Sequence, residues 1–235
     1  MAFRFKQFSV EDDRSTMRVG TDAVLLGAWA SPRPAHTILD TGTGCGVISL
    51  MLAQQSDAGI DAIELDKESA IQAKYNFEQS PWNTRLNIFH SSLQDFTRTC
   101  NKRYDLILTN PPFFRNSLKS PDPLRNLARH SVSLTPQELL DCVKKLLTDQ
   151  GRFLLILPGT EGQKFSILAE ESGMFIQKQL NIRPKPGKPV NRGLFSYGLQ
   201  LKGKPETTEL TLRKNDKEYT TEYLELTAPY YFRPG

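Results

Sequence analysis

Three glycines at alternate positions, Gly42, Gly44 and Gly46, constrain the fold of this 235-residue chain more than any other feature. They follow the apolar pair Ile38–Leu39 and precede the apolar run Val47–Ala53. Glycine permits a tight turn, a close backbone approach to a ligand and a helix start packed against a strand. The pattern Gly-x-Gly-x-Gly differs from the Gly-x-Gly-x-x-Gly spacing of dinucleotide-binding sites. The segment therefore predicts a strand, a bend and a helix of an α/β sheet, with a ligand at the bend.

Two acidic residues accompany this bend. Asp40 ends the strand before the first glycine, where a carboxylate would repel a pyrophosphate and attract an amino group. Glu64 follows a second strand-like segment about 20 residues beyond the glycines, a position that suits hydrogen bonds to ribose hydroxyls. A nucleoside with a cationic amino-acid arm satisfies both acids, and S-adenosylmethionine fits this description. The candidate cofactor residues here are Asp40, Gly42, Gly44, Gly46 and Glu64.

The tetrapeptide Asn110-Pro111-Pro112-Phe113 follows another apolar run, 104–109, that is typical of a buried strand. Adjacent prolines fix the backbone and remove N–H donors, so they make a stiff loop at the strand end. An amide oxygen and a backbone carbonyl can accept both N–H bonds of a planar NH2 group, while an aromatic ring stacks on its π face. A strand followed by an ordinary proline turn is the alternative for the tetrapeptide alone. Ligands of open α/β sheets bind at the carboxyl ends of strands, where the bend, Glu64 and the tetrapeptide are all expected.

Strand-like and helix-like segments alternate along the chain, which predicts one α/β domain with a parallel sheet and helices on both faces. The expected strands are about 37–40, 60–64, 86–89, 105–109, 153–157, 174–182, 194–201 and 210–212. The expected helices are about 21–30, 47–54, 69–79, 137–147 and 219–226. We expect residues 1–235 to form a single domain, with an N-terminal extension over about 1–30 and a short strand–helix appendage over about 206–235.

Composition argues against several classes of protein. Charged residues make up 24% and hydrophobic residues 38% of the chain, as in globular proteins. No apolar run approaches the ~20 residues that a membrane span needs. The three cysteines are widely spaced and suggest neither a disulfide framework nor a metal site. We therefore expect a cytoplasmic monomer without a metal or a membrane partner.

Stretches along nearly the whole chain resemble the bacterial tRNA1(Val) (adenine37-N6)-methyltransferase family. They are Phe5–Phe8, Met17–Trp29, Gln79–Trp82, Asn110–Phe113, Tyr219–Tyr223 and Tyr230–Phe232. The resemblance implies a Rossmann-like class I methyltransferase fold, with a seven-stranded, mostly parallel sheet, helices on both faces and a reversed final strand. It implies S-adenosyl-L-methionine as cofactor, the anticodon stem-loop of tRNA as partner and N6 of adenine 37 as methyl acceptor. It also implies that Thr21 lies near the methionine end of the cofactor, with a helix N-cap formed by Thr21 and Asp22 as an equal alternative.

The tetrapeptide would then carry the chemistry. Asn110 and the Pro111 carbonyl would accept the hydrogen bonds of the adenine amine, Pro112 would stiffen the loop and Phe113 would stack on the base. Asn110 is also a candidate cofactor-binding residue. Phe113 stands where tyrosine is common in related enzymes. A glutamine methyltransferase acting on a translation factor, a nucleotide-binding regulatory module without turnover and a scaffold with a decayed site are the alternatives. The N-terminal family stretch and the basic segments favour the RNA enzyme.

One candidate cofactor contact departs from the family pattern. Ser92 falls where methyltransferases of this type often carry an acid that accepts the amino hydrogens of the cofactor's adenine. A hydroxyl accepts such a bond more weakly than a carboxylate does. Asp95 lies three residues later, so either residue is a candidate for this contact.

Two basic segments are candidates for RNA binding. The first carries Arg115, Lys119, Arg125, Arg129 and His130, and the second carries Lys185, Lys188 and Arg192. Solvated basic loops are the alternative for each segment, since a net charge of +4 permits nucleic-acid binding without requiring it. Next to a base-binding motif, we interpret both segments as contacts to tRNA phosphates.

Overall fold

The computed structural model describes residues 2–30, 34–111 and 134–232. Within these ranges the strands are β1 (Phe3–Arg4), β2 (Ser9–Val10), β3 (Thr37–Thr41), β4 (Gly59–Glu64), β5 (Leu86–His90), β6 (Tyr104–Thr109), β7 (Leu147–Pro158), β8 (Phe175–Arg183), β9 (Arg192–Gly198) and β10 (Glu206–Thr211). The helices are α1 (Thr21–Trp29), α2 (Val47–Gln55), α3 (Lys67–Glu78), α4 (Leu93–Thr99), α5 (Pro136–Leu146), α6 (Gly159–Glu171) and α7 (Thr221–Thr227), with a 3-10 turn at Asn83–Arg85. Each expected element has a counterpart near its expected position, although β7 and β10 begin several residues earlier.

Eight of the described strands form one sheet in the order β10-β8-β9-β7-β6-β3-β4-β5. β9 runs antiparallel to β7 and β8, and the other neighbouring pairs are parallel. The expected mostly parallel sheet with a reversed strand is confirmed. The expected number of seven strands is wrong, because the described residues alone form eight strands of this sheet. The additional strand, β10, pairs along β8, where it satisfies backbone groups that an edge strand would expose.

Helices cover both faces of the sheet, because strand side chains alternate between two cores. Ile38 of β3 belongs to a core with side chains of α1, α2, α3 and α7, whereas the next residue, Leu39, belongs to a core with α4, α5 and α6. Strands that are buried on both faces give nearly continuous apolar sequence, as in β6. The helices on both faces confirm the expected fold class.

Two helices and one strand pair were not predicted. α4 spans only seven residues, and α6 contains Gly159 and Gly162, which lower helix propensity. Gly162 is needed for packing, since a Cβ there would lie 2.3 Å from the ring of Phe195. β1 and β2 have two residues each, too few to show alternation in the sequence.

The described residues also bear on cysteine chemistry, metals and membranes. All three cysteines are free, with Cys45 and Cys142 buried and Cys100 half-buried. Over the described ranges there is no group of three or more His, Cys, Asp or Glu side chains arranged to hold a metal ion. None of the described helices has the length and apolar character needed to cross a membrane.

Candidate active site

Parallel strand pairing brings the glycine bend next to Asn110. Thr41 at the end of β3 pairs with Thr109 at the end of β6, and the Thr109 hydroxyl donates to the Thr41 carbonyl at 2.8 Å. Gly42 directly follows β3 and Asn110 directly follows β6, and the two neighbouring strands lie about 4.8 Å apart. Glu64 ends β4 on the other side of β3. The candidate cofactor and acceptor residues therefore share one edge of the sheet.

The bend has a backbone conformation that glycine adopts readily and other residues do not. Gly42, Gly44 and Gly46 have φ angles of 69°, 58° and 85°, in the left-handed region. A Cβ on Gly46 would lie 2.5 Å from the Phe77 ring, whereas a Cβ on Gly42 would meet nothing within 4 Å. Gly46 therefore allows α2 to start against α3, and Gly42 borders open space from which a ligand can approach the backbone.

Asp40 lies beneath the bend and is fully buried. Its Oδ2 accepts hydrogen bonds from the hydroxyls of Thr43 at 2.6 Å and Ser49 at 2.7 Å. Its Oδ1 is buried and has no hydrogen-bond partner among the described residues. Burial raises the pKa of Asp40 to about 6, because the charged form loses its hydration. When Asp40 is ionised, hydrogen bonds from the described residues therefore compensate only one of its two oxygens. This negative charge lies next to the glycine bend, whose backbone a ligand can approach.

Two backbone N–H groups hold the carboxylate of Glu64. Gly44 donates to Oε2 and Asp66 donates to Oε1, both at 2.8 Å. The first bond fixes Glu64 to the bend, and the second fixes it to the start of α3. Each carboxylate oxygen has a second acceptor position, so a half-buried Glu64 can accept hydroxyl donors while it keeps both backbone bonds.

The N-terminal strap, defined here as residues 11–19, lies along α3 beside the bend. The Gln72 Oε1 accepts hydrogen bonds from two backbone N–H groups of the strap, at 2.6 and 3.1 Å. The Asn76 Nδ2 donates to the carbonyl of Glu11 in the strap and to that of Cys45 in the bend, both at 2.8 Å. Both amides are buried and both escaped prediction, although their four-residue spacing places them on one helix face. Asn76 therefore joins the strap to the bend.

We expect Asn76→Ala to weaken cofactor binding without removing a cofactor contact. The substitution leaves the Cys45 carbonyl without its donor and frees the strap from the bend, at about 1–3 kcal/mol of folding stability. The KM for the cofactor should rise at least about fivefold. This factor is the lower end of the effect that one site ordinarily has on the affinity of another. In the control Ser56→Ala, loss of the bond to the Leu52 carbonyl at the far end of α2 should lower stability alone. Equal KM values in the two variants would limit Asn76 to a structural role.

The start of α1 differs from expectation. Gly20 is the N-cap residue, and no side chain bonds the first helical N–H groups. The predicted cap formed by Thr21 and Asp22 is therefore wrong, because these residues lie inside the first turn. Asp22 instead accepts a hydrogen bond from Arg192 Nε at 3.0 Å, which links α1 to the start of β9. Thr21 is exposed, and its contact with a cofactor stays a prediction.

Ser92 and Asp95 form the first turn of α4 directly after β5. The Ser92 Oγ accepts the Asp95 N–H at 3.0 Å and donates to the Asp95 Oδ2 at 2.7 Å. Ser92 is therefore the N-cap of α4, and it holds the exposed Asp95 carboxylate at the same sheet edge as Glu64. The choice between these two residues as a contact to the cofactor's adenine stays open.

The candidate RNA-binding residues divide into two groups. The five candidates of the first basic segment lie outside the described residues: Arg115, Lys119, Arg125, Arg129 and His130. The catalytic candidates Pro112 and Phe113 lie outside them too. In the second basic segment, Lys185 forms an ion pair with Asp216 and Arg192 forms one with Asp22, whereas Lys188 is exposed. Carboxylates that pair with these cations reduce the positive charge that the segment presents to phosphate.

The sequence matches a known domain family and several curated proteins. The family model of the methyltransferase small domain matches residues 15–157. The tRNA1(Val) (adenine(37)-N6)-methyltransferases of Yersinia enterocolitica and Trichodesmium erythraeum are both 42% identical to this chain. The alignments cover 97% of this chain and 92% of the Yersinia protein, and 98% of this chain and 98% of the Trichodesmium protein.

Solved structures share the fold at low sequence identity. A predicted O-methyltransferase from Agrobacterium tumefaciens aligns with a TM-score of 0.68 at 17% identity, over 89% of this chain and 96% of that chain. A glycopeptide N-methyltransferase complexed with (S)-adenosyl-L-methionine aligns with a TM-score of 0.59 at 11% identity, over 79% of this chain and 96% of that chain. At these identities the likeness concerns the fold and carries no information about substrate.

Proposed function

The chain belongs to the tRNA1(Val) (adenine(37)-N6)-methyltransferase family, and from this premise we propose that it transfers a methyl group from S-adenosylmethionine to N6 of adenine 37 in tRNA1(Val). The observation that carries the proposal is the pairing of Thr41 with Thr109. This pairing sets the glycine bend and Asn110 side by side on neighbouring strands. A methyl donor held at the bend is then within reach of an amine held at Asn110.

The residues around the bend fit this cofactor. The open space at Gly42 admits the donor next to the backbone, and the unshared acceptor positions of Glu64 suit ribose hydroxyls. The buried Oδ1 of Asp40 has no partner among the described residues and favours the cationic amino group through a medium of low dielectric constant. When bound, S-adenosylmethionine supplies an electrophilic methyl group on its sulfonium.

Asn110 activates and orients the acceptor in this proposal. The lone pair of an adenine amine is delocalised into the ring, so the amine is a weak nucleophile. The Asn110 side-chain oxygen and the Pro111 carbonyl accept its two hydrogen bonds and favour tetrahedral geometry at nitrogen. These bonds strengthen as positive charge develops, so they stabilise the transition state more than the ground state. Methylation makes the nitrogen cationic and acidic, so its proton leaves to water without a strong base.

The test is methylation of unmodified tRNA1(Val) with labelled S-adenosylmethionine, followed by nuclease digestion and mass spectrometry. We expect labelled N6-methyladenosine in the anticodon-loop fragment, and none in a matched transcript that carries guanosine at position 37. A parallel incubation with a translation factor tests the glutamine alternative. Label in protein with unlabelled tRNA would overturn the proposal in favour of that alternative.

A further inference from the structure

One cation and one aromatic ring of the turn between β10 and α7 form an ordered stack with a second ring, that of Tyr223 in α7. The Arg213 Cζ lies 4.2 Å from the centroid of the Tyr219 ring, and the Tyr219 and Tyr223 rings stack with centroids 4.6 Å apart. Arg213 also donates to the Tyr219 hydroxyl at 2.8 Å and to the Asp216 carbonyl at 3.2 Å. The guanidinium is therefore held in one orientation before any partner binds, which lowers the entropy cost of binding.

This stack lies at the same edge of the sheet as the candidate active site. β10 is parallel to β8, with Thr211 opposite Arg183, and the Arg213 N–H donates to the Pro184 carbonyl at 3.2 Å. β10 and β6 are separated by four strand spacings, or about 19 Å. A few base-pair steps of a nucleic-acid helix cover such a distance.

Exposed lysines and exposed acids both surround the stack. Two of the acids are paired with other cations, Glu209 with Arg183 and Asp216 with Lys185, while Glu218 and Glu222 are exposed. Lys188, Lys214 and Lys217 are exposed, and within the described ranges none of the three takes part in an ion pair. A cavity of ≈ 330 Å³ opens beside the turn, and its charged lining residues are Lys214, Glu209 and Glu222. Tyr219 keeps 36% of its surface exposed. Exposed lysines beside an arginine held in a fixed orientation are groups that contact the phosphates of a nucleic acid.

We propose that Arg213, Lys214, Lys217 and Tyr219, here called the C-terminal platform, bind the sugar–phosphate backbone of the anticodon stem while adenine 37 lies at Asn110. The inference rests on the proposed tRNA substrate and assigns it a second contact. It adds the unpaired lysines of the next turn along the edge to Lys188 of the second basic segment, in which Lys185 and Arg192 are already paired.

The test compares two double variants that remove the same charge from the same sheet. Lys214→Ser with Lys217→Ser should raise the Kd for unmodified full-length tRNA about tenfold and lower the slope of log Kd against log salt by about two. Lys202→Ser with Lys204→Ser is the control, because the exposed loop between β9 and β10 lies at the opposite edge. Arg213→Lys should keep the salt slope and still weaken binding, since lysine keeps the charge but loses the planar stack.

A short single-stranded RNA that contains the acceptor adenine but no stem distinguishes an effect on stem binding from an effect on methyl transfer. All variants should methylate this RNA at the wild-type rate, with an unchanged KM for S-adenosylmethionine. If wild-type protein methylates tRNA and the platform variant binds it like the control, the platform alone is overturned. If wild-type protein methylates no tRNA, the proposed function is overturned and the platform with it.

Discussion

Asn110→Ala is expected to lower the rate of methyl transfer about 10²–10³-fold, the usual cost of removing one hydrogen bond that strengthens in the transition state. The affinity for S-adenosylmethionine should stay within about twofold, because the side chain acts on the acceptor in the proposed mechanism. Single-turnover kinetics measure the chemical step, and calorimetry measures cofactor binding. A rate close to that of the wild type would remove Asn110 from the mechanism.

Two substitutions serve as controls for this experiment. Asn110→Asp keeps an acceptor oxygen in the same position and should retain more activity than Asn110→Ala. Asn181→Ala removes a half-buried amide from β8 of the same sheet, where it accepts a hydrogen bond from Gln179 at 2.7 Å. Its rate should equal that of the wild type. If Asn181→Ala lost as much activity as Asn110→Ala, a general disturbance of the sheet would explain both results.

The part of the fold that positions the site was predictable because its physical signals are local. β3 and β6 are buried on both faces, so they appear as apolar runs. The positive φ angles of Gly42, Gly44 and Gly46 explain why glycine occupies alternate positions after β3. Because β3 and β6 run parallel, their carboxyl ends lie at one edge of the sheet. The proximity of the bend to Asn110 follows from these rules.

The parts that escaped prediction depend on contacts between residues distant in sequence. The strap is held by Gln72 and Asn76, which lie more than fifty residues further along the chain. Lys185 looked available for phosphate, but it pairs with Asp216, which lies 31 residues further along the chain. β10 pairs with β8, a strand that would otherwise leave an unpaired edge, and the sequence of β10 does not reveal this partner. Hydrophobic periodicity indicates which side chains of one segment are buried. It does not reveal which distant residue forms a hydrogen bond or an ion pair with that segment.

Asp40→Asn is expected to change stability and cofactor affinity in opposite directions. The pKa of Asp40 is raised from 3.8 to about 6 by burial, so between these values the folded state binds more protons than the unfolded state. Stability therefore falls as pH rises through this window, and the charge costs on the order of 3 kcal/mol at neutral pH. An uncharged amide that still accepts from Thr43 and Ser49 removes this cost. The cofactor-free variant should unfold several degrees higher at pH 7.5.

The same carboxylate should favour the cationic amino group of S-adenosylmethionine, so its loss should weaken binding about tenfold at pH 7.5. Wild-type affinity should rise with pH through about 6 as Asp40 ionises, and the affinity of the variant should not follow this curve. Calorimetry at several pH values and thermal unfolding without cofactor measure the two effects. If Asp40→Asn bound the cofactor as tightly as the wild type, Asp40 would have no electrostatic role in binding.

Asp61→Asn is the matched control, since Asp61 is also buried and lies on the neighbouring strand β4. Burial opposes ionisation of Asp61, but hydrogen bonds from Lys102, Asn87 and Tyr104 outweigh it and lower the pKa of its carboxyl. The charge of Asp61 therefore stabilises the folded state above the unfolded pKa, and its removal should lower the unfolding temperature. Cofactor affinity should not change, because these three partners already compensate the charge. If Asp→Asn raises the unfolding temperature at position 40 and lowers it at position 61, the folded protein compensates the charge of Asp61 but not that of Asp40. This is the result expected if the charge of Asp40 is compensated only by the cationic amino group of the bound cofactor.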